Sequence, residues 1–172
     1  NSTLASGVPG TISGMFYASK KFGSMDIEKL ISPSIEIARN GFNLSEFQAK
    51  NLNKYRGKFL NSVEAKQIFI KPNGFKEGDV LIQKNLANTL ERISKNGEKE
   101  FYSGETAKKI SEFFKENNGI LSLEDLRQYK LRVLHPICKN YRTFKICSMP
   151  PPSSGGVALI QMLNILENIE IN

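Results

Sequence analysis

The sequence predicts an α+β fold: a mainly helical portion with one short antiparallel hairpin. Three observations carry this prediction. Apolar residues recur at helical spacing, punctuated by capping residues, from Ile12 to Tyr129. The spacing then changes to strand-like runs at Lys130–His135 and Thr143–Met149. Last, Met149-Pro150-Pro151-Pro152-Ser153-Ser154-Gly155-Gly156 ends the second run, because three prolines remove three backbone donors and fix φ. The reading is a single partial domain over residues 1–172, with 1–129 mainly helical and 130–172 a hairpin, a Pro-rich turn and a buried helix.

Each element has a local signal. The Gly7-Val8-Pro9-Gly10-Thr11 turn leads into a helix carrying Ile12, Met15, Phe16 and Phe22, with Gly23 as its stop. Ile27, Leu30 and Ile31 form a second helical segment. Ser32-Pro33 reads as a break, a cap followed by proline at a first helical position, and Ile35, Ile37 and Ala38 then run to Gly41. Ser45 and Gln48 have capping-box spacing before Ala49, Leu52 and Tyr55. Ile68-Phe69-Ile70 reads as a short extended piece and Pro72-Asn73-Gly74 as a turn. Val80-Leu81-Ile82 leads to a helix with Leu86, Leu90 and Ile93, stopped at Gly97. Another carries Ala107, Ile110, Phe113 and Phe114 and stops at Asn118-Gly119, and Ser122–Asp125 opens a short helix to Tyr129. Asn140-Tyr141-Arg142 is the expected hairpin connection. After the prolines, Val157, Leu159, Ile160, Met162, Leu163, Ile165 and Leu166 give a helix apolar nearly all round, which needs cover on more than one side.

Composition bounds the class. The 172 residues are 40% hydrophobic and 24% charged, as in a soluble globular protein rather than a disordered one. A net charge of +7 invites a nucleic-acid or anionic-membrane partner, but Lys and Arg are scattered among Glu along the predicted helices. Lys50, Lys54 and Lys58 would align on one helix face. With no aromatic platform beside them they read as a solvated face. No apolar stretch is long enough to cross a bilayer. Without an initiator Met or signal peptide, and with an uncovered last helix, the sequence reads as starting inside a longer protein. Cys138 and Cys147 fall on the two strand-like runs with no metal-ligand spacing nearby. A pair of buried free thiols is the preferred reading, with a disulfide as the alternative.

Catalytic patterns are sparse. The one histidine, His135, precedes Pro136 and reads as a hydrogen-bonded structural imidazole rather than a general base. Asp26, Asp79 and Asp125 are the only aspartates, and two of them sit at predicted helix starts. Nucleophile-elbow, zinc-protease, Walker and dinucleotide motifs are all missing. Glu98 and Glu100 read as solvent carboxylates at a helix end. The Gly7–Thr11 turn could offer amides to an anion, but Pro9 removes one of them, so a plain turn and cap is preferred. Ser153, Ser154, Gly155 and Gly156 are the better substrate-binding candidates, since hydroxyls and a helix N-terminus could face an anionic or carbonyl group. The competing reading is a cap plus close packing. No metal or cofactor is expected. The sequons at Asn1-Ser2-Thr3 and Asn43-Leu44-Ser45 are too common a pattern to carry weight.

In order along the chain, Ser6-Gly7-Val8-Pro9-Gly10-Thr11, Pro33 to Gly41-Phe42, Phe101-Tyr102-Ser103-Gly104, Asn118-Gly119-Ile120, Leu123-Glu124-Asp125-Leu126 with Tyr129, Tyr141-Arg142, Met149 to Gly156 and Gln161 to Glu167 resemble the large subunit of γ-glutamyltransferases (γ-glutamyltranspeptidases, glutathione hydrolases). Asn118 and Thr143 stand where that family often has Gly. The resemblance implies an N-terminal-nucleophile hydrolase fold, with two antiparallel sheets between helical layers (αββα). It also implies a self-cleaving zymogen whose small subunit exposes an N-terminal Thr. That Thr attacks the γ-glutamyl amide of glutathione, with its own amine as base. Transfer then goes to water, an amino acid or a peptide. The cleavage segment, the arginine for the substrate carboxylate and the oxyanion glycines all fall outside these residues, so no catalytic residue carries over. By the same resemblance, the partners are the rest of the large subunit and the small catalytic subunit, and the location is periplasmic or secreted. The isolated chain is expected to be inactive and to self-associate through its last helix. Two rivals remain: a related amidase acting on acylated β-lactams or poly-γ-glutamate, and a non-catalytic basic module whose binding would weaken steeply with salt.

Overall fold

Serine side chains cap α-helices at Ser45, Ser62 and Ser122 in residues 3–169, the part that the computed structural model describes. Asn1 and Ser2 of the first sequon lie outside the described residues. The chain divides into two compact units, Asn1–Tyr129 and Lys130–Asn172.

In the first unit, α1 (Thr11–Phe22) ends where the Gly23 amide donates to the Ser19 carbonyl at 2.8 Å. Helix α2 (Ile27–Asn40) ends at Gly41, whose φ of +86° and close approach to Leu81 O and the Val80 side chain exclude a side chain. The next residues, β1 (Phe42–Asn43), pair antiparallel with β2 (Val80–Leu81). Between them lie α3 (Glu46–Lys54), α4 (Arg56–Phe59) and α5 (Val63–Phe69). The expected capping box opens α3: the Ser45 hydroxyl accepts from Gln48 N, and Gln48 Oε1 accepts from Ser45 N. The Pro72-Asn73-Gly74 turn also forms, with Gly74 N donating to Lys71 O. After β2 come α6 (Lys84–Asn96), α7 (Glu98–Ser103), α8 (Glu105–Glu116) and α9 (Leu123–Arg127), the last opened by a Ser122–Asp125 capping box. Asn118 takes a left-handed φ of +53°, which an Asn side chain tolerates where most residues would not.

Burial concentrates at two places in this unit. Leu44, Ala49 and Leu81 gather Phe42, Leu52, Ile68, Phe69 and Phe75. Ala107, Leu121 and Leu126 gather Val8, Ile110, Phe114 and Leu123. Helices α2 and α6 pack along each other, with the small buried side chains of Ala38 and Ala87 permitting the approach.

Several expectations need correction here. Pro33 does not break the second helix but sits inside α2. The missing proline amide removes one helical bond, and packing along α6 holds the two halves in one axis. Ile68 and Phe69 are helical rather than extended, because Ser62 caps α5 by accepting from Ala65 N. Only Ile70 is extended. Helix α7 has no counterpart in the sequence reading, being too short to show a period. Lys50 and Lys54 belong to α3 but Lys58 to α4, so the three form no single ridge.

In the second unit, β3 (Ile137–Tyr141) pairs antiparallel with β4 (Phe144–Ser148). The two-residue turn Arg142-Thr143, with Arg142 at φ +52°, fixes the register. Since β4 starts at Phe144, its partners run back from Tyr141 to Ile137. The first strand therefore lies after Pro136 and not over Lys130–His135, and the connection is one residue later than expected. The same register sets Cys138 opposite Cys147, and the two are joined in a disulfide with Cα atoms 4.2 Å apart. Both residues are exposed, so the expectation of buried free thiols is overturned. Helix α10 (Ser154–Glu167) packs on β3 and β4, leaving its Met162 and Ile165 more than half exposed, at 54% and 63%, and Ile169 just beyond it at 49%.

Leu126 is 0% exposed and central to the second cluster. Leu126→Ala should lower the unfolding free energy by about 2–5 kcal/mol, read by chemical denaturation.

Candidate functional site

The chain leaves β4 through Met149 and three prolines, with a cis bond between Pro151 and Pro152. Ser153 N donates to Pro150 O at 3.2 Å, which closes the turn and sets Ser153 as the N-cap of α10 at φ −73°, ψ 123°. Its hydroxyl makes no capping bond. Ser154 and Gly155 are exposed, and a side chain built on Gly155 would meet only Ser153 Oγ at 3.8 Å. Gly156 differs. It is buried, and a Cβ there would overlap the Met149 carbonyl oxygen and come within 3.0 Å of Ser148 Oγ. The four residues thus divide by role. Gly156 lets the helix touch the strand exit, while Ser153, Ser154 and Gly155 present hydroxyls and first-turn amides to the outside. Such a set can donate hydrogen bonds to a carboxylate or carbonyl oxygen.

In the first unit, the strongest candidate for acid–base chemistry proves structural. Glu100, expected in solvent, is 7% exposed. Its Oε1 accepts from Arg92 Nε at 3.0 Å, Thr106 N at 3.1 Å and Thr106 Oγ1 at 3.0 Å, and its Oε2 accepts from Glu105 N at 3.3 Å. Burial alone would raise this carboxyl's pKa. The hydrogen bonds from Thr106, Arg92 and Glu105 outweigh burial and hold it below the ordinary carboxylate value. Glu98 opens the same short helix. At the start of α1, Tyr102 Oη donates to Pro9 O at 2.7 Å and accepts from Ser13 N at 3.2 Å, while its ring stacks on Tyr129 at 5.2 Å. That hydroxyl takes a first-turn amide, leaving the Gly7–Thr11 segment as a turn rather than an anion site.

Other expected residues fall apart in space or find local partners. His135 lies in the exposed run before β3 and makes no hydrogen bond among the described residues, contrary to the structural imidazole expected. Asp79 accepts from Lys71 Nζ at 2.6 Å and from Lys76 N at 2.7 Å. Asp125 serves the Ser122 cap, and Asp26 precedes α2 without a capping bond. Among the described residues no group of three His, Cys, Asp or Glu side chains could hold a metal ion. No helix among them is long and apolar enough to cross a membrane. An aromatic ring does accompany two lysines: Lys54 Nζ and Lys58 Nζ lie 5.4 and 4.8 Å from the Tyr55 centroid.

Comparison with known proteins resolves this scarcity of chemistry. The family model for Gamma-glutamyltranspeptidase matches residues 1–172. The chain belongs to that family. It is 43% identical over 172 residues to a glutathione hydrolase proenzyme of Escherichia coli (strain K12), covering 99% of this chain and 30% of that protein. A glutathione hydrolase proenzyme of Bacillus subtilis (strain 168) is 40% identical over 170 residues, covering 98% of this chain and 29% of that one. Among solved structures, the γ-glutamyltranspeptidase of Helicobacter pylori superposes with a TM-score of 0.94 at 42% identity, covering 100% of this chain and 50% of that one. The chain thus spans about 30% of the length of these curated relatives. Helices with antiparallel hairpins make its fold α+β, as those γ-glutamyltranspeptidase structures require.

The sequence reading missed two features. Glu100 stands six residues before Thr106 and eight after Arg92, a spacing with meaning only once α7 is known. The disulfide, by contrast, had a signal: Arg142-Thr143 as the turn makes Cys138 and Cys147 direct partners.

Two measurements follow from these contacts. Gly156→Ala should shift the unfolding midpoint of the full-length protein down by several degrees, since backbone must move. Gly155→Ala should leave it unchanged or slightly higher, by about 0.5–1 kcal/mol at most. For Glu100, the folded pKa is depressed below its ordinary value of 4.5. Its contribution to stability is therefore complete above that value and is lost as pH falls through the folded pKa. Stability measured against pH should fall less steeply below pH 4.5 in Glu100→Gln than in the wild type.

Proposed function

We propose that this chain is a scaffold segment of a γ-glutamyltransferase or glutathione hydrolase. The whole protein would cleave γ-glutamyl amides such as glutathione through a γ-glutamyl-Thr intermediate and pass the group to water, amino acids or peptides. The observation that carries this reading is the unbroken family match over residues 1–172, joined to the fate of the polar groups. Glu100, Asp79 and Asp125 are engaged by structural donors, and among the described residues His135 has no acidic or nucleophilic partner bonded to it. A mechanism run by an N-terminal threonine and its own amine needs none of them.

The relatives' designation as proenzymes supports maturation by self-cleavage into large and small subunits. The partners would be the remainder of the large subunit and the small catalytic subunit, which would cover the outer face of α10. In isolation, Met162, Ile165 and Ile169 would drive self-association instead. Ser153, Ser154 and Gly155 are the pocket-adjacent donors in this reading, and Gly156 supports them by packing. The Cys138–Cys147 disulfide favours an oxidising compartment, in keeping with a periplasmic or secreted protein.

The test compares the isolated 172-residue chain with the full-length gene product on a γ-glutamyl anilide, glutathione and an acyl β-lactam. The full-length protein should turn over the first two after self-cleavage, and the isolated chain none. Turnover by the isolated chain, or a full-length preference for the acyl β-lactam, would refute the reading.

A further inference from the structure

The Cys138–Cys147 disulfide lies in a part of the sequence with no acidic residue, since none occurs between Asp125 and Glu167. The hairpin itself carries Lys139, Arg142 and Lys145, and none of them is paired to a carboxylate among the described residues. Arg142 only lies over the Tyr141 ring, at 5.4 Å. The pleat puts Cys138, Asn140, Lys145 and Cys147 on one face, and all four are exposed. The opposite face carries the half-buried Ile137, Tyr141, Ile146 and Ser148 together with the exposed Lys139 and Phe144. The exposed cysteine pair therefore shares its face with Lys145, while Lys139 and Arg142 lie on the opposite face and in the turn.

We infer that this disulfide is an exchange site for small thiols bearing negative charge. The strands are held by five register pairs and a two-residue turn, so the sulfur bond can open without undoing the hairpin. A thiolate RS⁻ attacks one cysteine sulfur and forms R–S–Sγ. The Sγ–Sγ bond breaks, and its electron pair leaves on the other cysteine as a thiolate that takes a proton from water. A second RS⁻ attacks the R-bearing sulfur, giving RSSR and the second cysteine thiolate. Two thiols are oxidised and one protein disulfide is reduced. Lys145, on the same face, and the neighbouring Lys139 and Arg142 raise the local concentration of an anionic attacker and stabilise the departing thiolate. The inference does not depend on the proposed function, although glutathione, with its net negative charge, is one thiol of this class.

The experiment uses the full-length oxidised protein with mercaptoethanesulfonate, 2-mercaptoethanol and cysteamine, which are anionic, neutral and cationic. Each rate is divided by that thiol's rate with a neutral dialkyl disulfide. Peptide mass mapping follows the adduct on Cys138 or Cys147. At low salt the normalised anionic rate should exceed the cationic one by about threefold or more. The gap should close near ~1 M salt, where the screening length is about 3 Å. Lys145→Gln should narrow the gap, slowing the anionic thiol more than the neutral one. Equal normalised rates at low salt, cysteines that react only when the protein unfolds, or free thiols in an oxidised preparation would each overturn the inference.

Discussion

One buried carboxylate organises the first unit. Glu100 sits where α6, α7 and α8 meet, and its two oxygens take donors from Arg92 on α6 and from Glu105 and Thr106 at the start of α8. Removing a carboxylate from water is costly, and the cost is met here only because every donor is present together. The two Thr106 donors reach the same oxygen as Arg92, which fixes the angle at which α8 leaves α7. Gly104, between those helices, accommodates the carboxylate at close range, since a Cβ there would overlap Glu100 Oε2. The α7 helix that Glu100 belongs to also supplies Tyr102, whose hydroxyl ties the start of α1 to the same place. A short helix with little stability of its own thereby sets the positions of three longer ones.

The second unit rests on a steric rather than an electrostatic constraint. Its hairpin is short, and α10 lies on it with an apolar surface larger than two strands can cover. Contact begins at the strand exit, where Gly156 lets the helix reach the Met149 carbonyl. The prolines before it cannot donate into the ladder, so β4 ends at Ser148 and the turn follows at once. Gly156 takes the packing role there, while Ser153 is half-buried and Ser154 exposed.

Legibility from sequence follows the range of the interaction. Capping boxes at Ser45 and Ser122, the stops at Gly23, Gly41 and Gly97 and the Pro72-Asn73-Gly74 turn are decided within four or five residues, and each could be read directly. Pro33 has the same local signal, but α6 lies along both sides of it, and packing at that distance overrides the break. Glu100 looks like any helix-end acid until Arg92 and Thr106 arrive from flanking helices. The second strand was legible almost to the residue, but the first lies at Ile137–Tyr141, beyond Pro136, because it is set by pairing back from Phe144 across the Arg142-Thr143 turn and not by the apolar pattern of Lys130–His135. At the strand exit, the sequence showed both readings of the Ser-Ser-Gly-Gly run, and the structure assigns packing to Gly156, exposure to Ser154 and Gly155, and partial burial to Ser153. The family was legible because the proline-serine-glycine run and its flanks are specific as a string, whatever the local geometry.

The disposition of polar atoms explains why so many charged residues yield so little chemistry. A general acid or base must keep a lone pair or a proton available to a substrate. Among the described residues no buried side-chain nitrogen or oxygen lacks a partner, and the donors that satisfy Glu100 leave it no position from which to reach one. Asp79 and Asp125 are likewise committed to a lysine and a cap. Among the described residues, the unclaimed polar groups of the second unit are of another kind: serine hydroxyls at a helix start, half-buried at Ser153 and exposed at Ser154, and cations on a hairpin without acids. Both can donate hydrogen bonds to negative charge, so the polar groups this unit leaves open differ in kind from the carboxylates that the first unit closes off.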